Sequence, residues 1–306
     1  MKAILSICLN PTLQKTLIFP GLIPDTVNRA AEHRLDASGK GINVSRVLTQ
    51  LGKKVIHLTQ LGGSFRPALL ELCVADKITV EWVESYSPVR FCYTIINNEN
   101  KTATELVEEG ERVEEHTGER LLEALGRLLP DVSSMVVSGS KAAGFSDSLF
   151  DEMVRMAKAQ SIRVVLDIRG KDLVECLQWK PDFIKINLFE FASTFAPDLC
   201  LKSEKSEEDP ELKPALLKIA NDLYTQHGTQ SILTRGSKDV WYFENGEFME
   251  HRIERCEPLS AIGSGDAFAA GFASALEDGL TLKEAVAEGA RCGKLNALLL
   301  RPGVIR

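Results

Sequence analysis

The fold is decided by a stretch that reads "MVVSG" (135–139), then "FDEMVRMAKAQ" (150–160), then "RVVLDI" (163–168). The first and third segments are short apolar runs rich in β-branched residues. The middle segment repeats its apolar residues at intervals of three and four, which is typical of an amphipathic helix. Because a helix between two such strands usually joins parallel neighbours, the stretch predicts one unit of a parallel sheet covered by helices.

The same alternation extends over most of the chain. Further strands are predicted at "AILSIC" (3–8), "KVIHLTQL" (54–61), "DFIKIN" (182–187) and "SILTR" (231–235), with helical patterns between them. Several of these runs are apolar throughout, as strands buried on both faces require. The sequence therefore predicts an α/β fold in which helices cover both faces of a mainly parallel sheet.

Two regions interrupt this rhythm, residues 14–35 and 89–107, which contain strand-like runs without a helix between them. We predict that they form a small antiparallel sheet separate from the main layer.

A hairpin is predicted at 240–253, because Asn245-Gly246 suits a type I′ turn. Residues 201–214 are predicted to be a charged surface loop or mobile insertion, and Thr281 with Glu284 predicts a capping box that starts the last helix.

Composition narrows the class of protein. The 306 residues carry a net charge of −7, which argues against a general surface for nucleic acid or anionic membrane. No apolar run reaches the roughly 20 residues of a membrane span, and the N-terminal segment is interpreted as a strand rather than a signal peptide. Seven scattered cysteines and five histidines at no ligand spacing predict a reduced, cytoplasmic protein without a zinc site.

The segment "IGSGDAFAAG" (262–271) places Asp266 directly after Gly263, Ser264 and Gly265. Bare backbone N–H groups at the start of a helix attract anions, and a carboxylate beside them can accept a proton from an attacking hydroxyl. The alternative is a tight turn with a capping acid. A second segment, "DASGKGINVSRVL" (36–48), has a similar order of small residues, a lysine and a helix, but does not fit the Walker pattern.

Seven segments in the same order resemble signatures of the PfkB carbohydrate kinase family, within the ribokinase-like superfamily. They are "LNPTL" (9–13), "SGKGINVSRVL" (38–48), "SGSKAAG" (138–144), "LDIRG" (166–170), "KINLFE" (185–190), "IGSGDAFAAGF" (262–272) and "AEGARCGKLNALLLRPGVI" (287–305). The resemblance implies one kinase domain over residues 1–306, a three-layer α/β/α sandwich whose β lid is formed by about 10–35 and 89–107. "TELVEEG" (104–110) resembles the branch of 1-phosphofructokinase and tagatose-6-phosphate kinase.

The resemblance also implies roles in phosphoryl transfer from ATP. Asp266 would be the general base, and the backbone of Gly263, Ser264 and Gly265 would neutralise charge on the transferred group. Nucleotide contacts would come from Lys185, Asn187, Thr234, Gly236 and Asn296, while Asn187 and Glu190 would hold Mg²⁺ through water.

The sugar would be bound by residues of the lid and of the first helix. The positions matching substrate contacts of the family are Gln14, Arg29, Gly39, Lys40, Asn43, Arg90 and Ser138. Arg29 and Arg90 would bind an existing phosphate on the substrate, because the guanidinium fork fits phosphate oxygens; the alternative is exposed edge-strand arginines. By analogy, the lids of two chains would pair in a homodimer.

The match departs from the family at four places. Gln14 replaces the usual Asp, Ile186 the usual Pro, Lys141-Ala142-Ala143 the usual Leu-Pro-Pro, and Ser260-Ala261 precedes the glycine loop. We expect Lys141 to add a positive charge near the cleft. The sequence thus predicts an ATP-dependent kinase for a ketohexose phosphate such as fructose 1-phosphate, tagatose 6-phosphate or fructose 6-phosphate. The alternatives are a kinase for an unphosphorylated sugar and a sugar-phosphate- or nucleotide-binding regulatory protein with impaired catalysis.

Overall fold

A computed structural model describes residues 2–199 and 212–306. Its strands, in chain order, are β1 (Ala3–Cys8), β2 (Thr12–Phe19), β3 (Glu32–Ser38), β4 (Val55–Leu61), β5 (Thr79–Glu84), β6 (Arg90–Asn97), β7 (Thr102–Val107), β8 (Val132–Ser138), β9 (Arg163–Asp167), β10 (Phe183–Asn187), β11 (Gln230–Arg235), β12 (Lys238–Glu244) and β13 (Glu247–His251). Its α-helices are α1 (Lys40–Gln50), α2 (Arg66–Ala75), α3 (Thr117–Leu128), α4 (Leu149–Ala159), α5 (Lys171–Cys176), α6 (Leu188–Phe195), α7 (Leu212–His227), α8 (Ser264–Glu277) and α9 (Leu282–Ala297).

The large sheet has the strand order β13-β12-β11-β10-β9-β8-β1-β4-β5. All its neighbours pair in parallel except β11 with β12 and β12 with β13. Alternate side chains of one strand enter different cores: in β1, Ile4 packs with α1, α8 and α9, whereas Leu5 and Ile7 pack with the helices on the opposite face. This alternation confirms the predicted three layers, with helices on both faces of the sheet.

The chain order places a switch point between β1 and β8. From β1 the chain moves outward to β4 and β5 on one side, and later from β8 to β11 on the other. Crossover connections leave a crevice at the carboxyl ends of the strands where the direction of winding reverses. Asn187 ends β10, Asp167 ends β9, and Gly39 and Lys40 follow the end of β3, so the polar residues collect at this edge.

The second sheet has the order β3-β2-β6-β7 and forms the lid. Its outer pairs, β2 with β3 and β6 with β7, are antiparallel, as predicted for residues 14–35 and 89–107. The central pair, β2 with β6, is parallel, which the sequence did not reveal. A long crossover through the main sheet separates β2 from β6 and allows this arrangement.

Several local predictions are confirmed. Asn245 and Gly246 both have positive φ, as a type I′ turn needs, and they join β12 to β13. Thr281 and Glu284 form the capping box of α9. Of the predicted loop 201–214, residues 201–211 lie outside the described residues. The predicted end of the loop at residue 214 is wrong, because α7 begins at Leu212, whose side chain is buried in the core.

Candidate active site

A cavity of about 380 Å³ lies between the lid and the carboxyl edge of the large sheet. The structure brings twelve of the residues predicted from the sequence to its walls: Gln14, Gly39, Lys40, Asn43, Arg90, Lys185, Asn187, Glu190, Thr234, Gly263, Gly265 and Asp266. They come from both sheets and from the starts of α1 and α8. Residues that lie far apart along the chain thus converge on one site.

Asp266 lies in the first turn of α8 and is only 7% exposed. Its Oδ2 accepts a hydrogen bond of 2.8 Å from Nδ2 of Asn43. Burial raises the pKa of Asp266 to about 6; Lys40 opposes this rise and Asp167 adds to it. A carboxylate with a pKa near neutrality is a far better proton acceptor than an ordinary Asp, so the position suits a general base.

The glycine loop before Asp266 is closely packed. Gly263, the N-cap of α8, has φ 81°, and a Cβ there would lie 2.8 Å from the backbone nitrogen of Gly303. A side chain is therefore excluded both by conformation and by space. The Ser264 N–H donates to Ala261 O at 3.2 Å, so the anion site depends on the other N–H groups at the start of this helix.

Four charged residues form a cluster beside Asp266. Asp167, 1% exposed, lies 3.4 Å from the Nζ atoms of both Lys40 and Lys185. Burial would raise the pKa of Asp167, but the two lysines outweigh it and hold the pKa below its ordinary value. Lys40 also lies 3.3 Å from Glu190 Oε1, and Asp167 is the main cause that raises the pKa of Lys40. The ammonium group of Lys40 therefore stays charged at the cavity floor.

Lys185 is 3% exposed and donates to Gly265 O at 2.8 Å. Its side chain thus ties β10 to the start of α8. The nearby Lys40, 39% exposed, is the more accessible of the two cations. Lys40 was predicted to contact the sugar, whereas the structure places its ammonium group between Asp167 and Glu190, next to the predicted nucleotide residues.

Asn187 and Glu190 form the capping box of α6. Asn187 Oδ1 accepts from Glu190 N at 2.7 Å, and Glu190 Oε2 accepts from Asn187 N at 3.1 Å. Within the described part of the chain, no group of three or more His, Cys, Asp or Glu side chains could hold a metal ion. The oxygen atoms of Asn187 and Glu190 suit a hard cation such as Mg²⁺ that keeps most of its own water.

The end of the cavity that is predicted to bind the sugar, the sugar end, belongs to the lid. Gln14, 4% exposed, donates through Nε2 to Thr94 Oγ1 at 2.6 Å. Arg90 donates to the backbone oxygens of Glu108 (2.8 Å) and Asn10 (3.3 Å). These two bonds use two of the five guanidinium N–H groups, and Arg90 lines the cavity, so donors are left for a ligand.

Five of the predicted site residues are not at the cavity wall. Arg29 is exposed in the loop between β2 and β3, Gly236 is in the turn after β11, and Ser264 and Ser138 lie beside the site. Asn296 is fully buried and donates through Nδ2 to Arg301 O at 3.0 Å. In this conformation Asn296 supports the loop after α9, which packs on the glycine loop.

Lys141 does not add charge to the cleft, contrary to the prediction. Its ammonium group lies 2.7 Å from Asp172 and donates to the backbone oxygens of Ser146 and Asp147, both at 2.9 Å. Its side chain is 10% exposed and packs over the Phe150 ring. The reason is that the loop after β8 offers two carbonyl groups, and α5 offers the carboxylate of Asp172, away from the residues that line the cavity.

Two acids at the cavity, Asp167 and Glu105, were not singled out from the sequence. Asp167 was quoted only inside "LDIRG", although an acid at the end of a buried strand is a recognisable signal. Glu105 lines the cavity from β7, and partial desolvation raises the pKa of its carboxyl group. Glu105 supplies a carboxylate at the sugar end, where Gln14 provides none.

The comparisons with known proteins agree with this geometry. Residues 5–301 match the model of the pfkB family of carbohydrate kinases. The tagatose-6-phosphate kinase of Staphylococcus epidermidis is 30% identical over 305 residues, which cover 99% of this chain and 94% of the relative.

Two solved structures share the fold. Phosphofructokinase-2 from Escherichia coli in complex with potassium has a TM-score of 0.86 at 20% identity and covers 99% of this chain and 95% of its own. A possible 1-phosphofructokinase from Thermotoga maritima has a TM-score of 0.83 at 22% identity, covering 98% and 94%. Separately, no helix among residues 2–199 and 212–306 is both long and apolar enough to cross a bilayer.

Proposed function

The chain belongs to the pfkB family of carbohydrate kinases, and we propose that it transfers the γ-phosphoryl group of ATP to a hydroxyl of a ketohexose phosphate. The observation that carries this proposal is the position of Asp266. It is a buried carboxylate of raised pKa, next to the glycine loop and at the start of α8. Fructose 1-phosphate, tagatose 6-phosphate and fructose 6-phosphate are the candidate substrates.

Asp266 takes the proton of the attacking hydroxyl. Asn43 holds one of its carboxylate oxygens at 2.8 Å, so the other is directed to the substrate. A loose transition state for phosphoryl transfer needs little proton removal at first, so a carboxylate with a pKa of about 6 is sufficient. The base therefore contributes mainly by orientation and by accepting the proton late.

Charge on the transferred group is neutralised by the start of α8 and by Lys40. The first backbone N–H groups of this helix have no partner inside it, and Gly263 and Gly265 leave them accessible. Lys40 lies next to them and keeps its charge through Asp167 and Glu190. These donors are fixed before the substrate arrives, so little reorganisation is needed during transfer.

ATP would extend from this point along β10 and β11. Thr234 at the end of β11 and Asn187 at the end of β10 line the cavity side by side, since these positions are register partners. Asn187 and Glu190 would hold Mg²⁺ through water molecules. When bound, the metal ion supplies positive charge to the nucleotide phosphates.

Arg90 would bind the phosphate that the sugar already carries. Its Nη1 and Nη2 atoms each donate one hydrogen bond to a backbone oxygen, and Arg90 lines the cavity, so the remaining N–H groups would be the donors to the phosphate. Gln14 and Glu105 would contact the sugar hydroxyls, since one offers an amide and the other a carboxylate. This pairing distinguishes the chain from relatives with an acid at the first position.

Two chains would associate through their lids. Leu106 on the edge strand β7 is 54% exposed, and Ile23 and Val27 in the loop after β2 are 64% and 79% exposed. Exposed apolar residues beside an unpaired strand edge favour pairing with a second sheet. Sedimentation of the wild type and of a Leu106→Lys variant tests this: a dimer that dissociates in the variant supports the proposal, and a monomeric wild type contradicts it.

The decisive experiment for the activity is an ADP-release assay with the three phosphosugars and their unphosphorylated forms. Turnover of a phosphosugar with a much lower KM than its free sugar supports the proposal. Turnover of free sugars alone would instead indicate a kinase for unphosphorylated substrates. Calorimetric binding of phosphosugars and ATP with no ADP release would indicate a regulatory protein that lost catalysis.

A further inference from the structure

Arg46 is a buried arginine of α1 that no sequence signature assigns to the reaction. It is 1% exposed and uses four of its five N–H groups. Nε donates to Asp76 at 2.7 Å, Nη1 donates to Asn43 Oδ1 at 2.9 Å and to Pro302 O at 3.0 Å, and Nη2 donates to Ala37 O. Arg46 thus connects α1, the strand β3, the end of α2 and the loop after α9.

The contact with Asn43 determines how that carboxamide is oriented. Asn43 Oδ1 accepts from Arg46 and, at 3.3 Å, from Ser38 Oγ. The opposite orientation would place the NH₂ group of Asn43 against the guanidinium, so that two donors faced each other. Asn43 Nδ2 must therefore point to Asp266, to which it donates at 2.8 Å.

We propose that Arg46 is a positioning residue for the base: it fixes the Asn43 amide, which in turn holds one oxygen of Asp266 and leaves the other for the sugar hydroxyl. This inference rests on the proposed function and deepens it. Arg46 does not line the cavity and would not touch the substrate. Its effect passes through a single side chain, that of Asn43.

A purely structural role would depend on the ion pair with Asp76. Asp76 also pairs with Arg301 at 2.6 Å. The side chains of Arg46 and Asp76 are both largely buried. Lysine keeps one positive charge that can reach Asp76, but it lacks the planar fork that also reaches Asn43. Arg46→Lys therefore separates neutralisation of Asp76 from orientation of the amide.

The pH dependence of Asp266 supplies a readout that packing alone would not move. The hydrogen bond from Asn43 lowers the pKa of Asp266, in opposition to burial. The other groups that influence this carboxyl are Lys40 on α1, Asp167 on β9, Lys185 on β10 and the Cys8 thiol on β1. None of them touches Arg46, so the substitution changes only the contribution of Asn43.

The test compares Arg46→Lys with the wild type and with Arg66→Lys, a surface control whose partner is Glu84. We expect Arg46→Lys to lower kcat about 10- to 100-fold with an unchanged KM for ATP, because the base is misplaced. The acidic limb of the kcat profile moves to higher pH. An unaltered kcat and pH profile, or a kcat that falls only in proportion to the folded fraction, overturns the proposal.

Two further measurements keep the test decisive. If Arg46→Lys does not fold, Arg46→Met combined with Asp76→Asn removes both charges of the pair together, and Arg301, which loses Asp76, keeps its ion pair with Asp36 at 2.7 Å. A ¹³C NMR titration of Asp carboxyl groups, with Asp266→Asn for assignment, needs no turnover: the Asp266 midpoint should rise in either variant, and an unchanged midpoint contradicts the proposal. A wild type without kinase activity would refute the proposed function and leave this titration valid.

Discussion

The two ends of the cavity are built on different principles. At the proposed transfer end, Asp167 on β9 pairs with Lys185 on the neighbouring strand β10 and with Lys40 at the start of α1. At the sugar end, Gln14 and Arg90 extend from a lid whose edge strand, β7, is exposed along its whole length. With the proposed function, the main sheet would fix the chemistry, whereas the lid would select what enters.

The largest effect is expected when the proposed base at the transfer end is removed. Asp266→Asn should lower kcat about 10²- to 10⁴-fold, because the amide cannot accept the proton, while calorimetry shows ATP bound as in the wild type. Asp278→Asn is the matched control, since Asp278 caps the other end of α8 and is 58% exposed at its side chain. Equal turnover in Asp266→Asn and the control would exclude Asp266 as the base.

A smaller effect is expected at the opposite end. Arg90→Met should raise the KM for the phosphosugar about 10- to 100-fold, because hydrogen bonds from a charged donor to the phosphate are lost. Steady-state kinetics should show kcat much less affected, and Arg66→Met should behave as the wild type. If the KM for an unphosphorylated sugar rises by the same factor, Arg90 does not recognise the phosphate.

The pH dependence of kcat should reflect the ionisation of Asp266, at the transfer end, and not the residues of the lid. The pKa of Asp266 is raised to about 6, and the base works only when ionised, so the rate must fall as the pH drops below this value. At saturating substrates, kcat should decrease about tenfold for each pH unit below 6. A kcat profile that stays flat well below pH 6 would contradict the proton-acceptor role.

The smallest effect should come from Gln14. In Gln14→Glu, Thr94 must donate instead of accept, and the new carboxylate shares the lid with Glu105. We expect the ratio of kcat/KM between two ketohexose phosphates to change by no more than about tenfold, with kcat for the preferred one nearly constant. Gln178→Glu, on the surface, is the control; an unchanged ratio would remove Gln14 from substrate selection.

Much of the fold followed from local patterns, and the reasons are physical. The strand at 3–8 has the predicted ends, and the Asn245-Gly246 turn and the Thr281 cap depend only on neighbouring residues. The strand β5 (79–84) was not predicted, because half of its residues are exposed and it lacks a continuous apolar run.

The site was less predictable, since its charges meet through the order of strands. Lys40 and Asp167 are 127 positions apart and become neighbours only when β8 and β9 are added beside β1. Lys141 was expected in the cleft, but the direction of its side chain depends on the acceptors that the fold brings near it, here two carbonyl groups of its own loop and Asp172 of α5. Glu105 required knowledge of the lid register, which places it beside Thr94.

The hydrogen bond between Asn43 and Asp266 spans 223 positions, and that between Arg46 and Pro302 spans 256. During synthesis on the ribosome, the first partner of each pair emerges when most of the chain does not yet exist. A nascent polypeptide that has completed β1 to β11 has the lid and the lysines but lacks the base. The proposed phosphoryl transfer would therefore begin only after translation has passed α8 and the loop after α9, and unfinished chains would not carry it out.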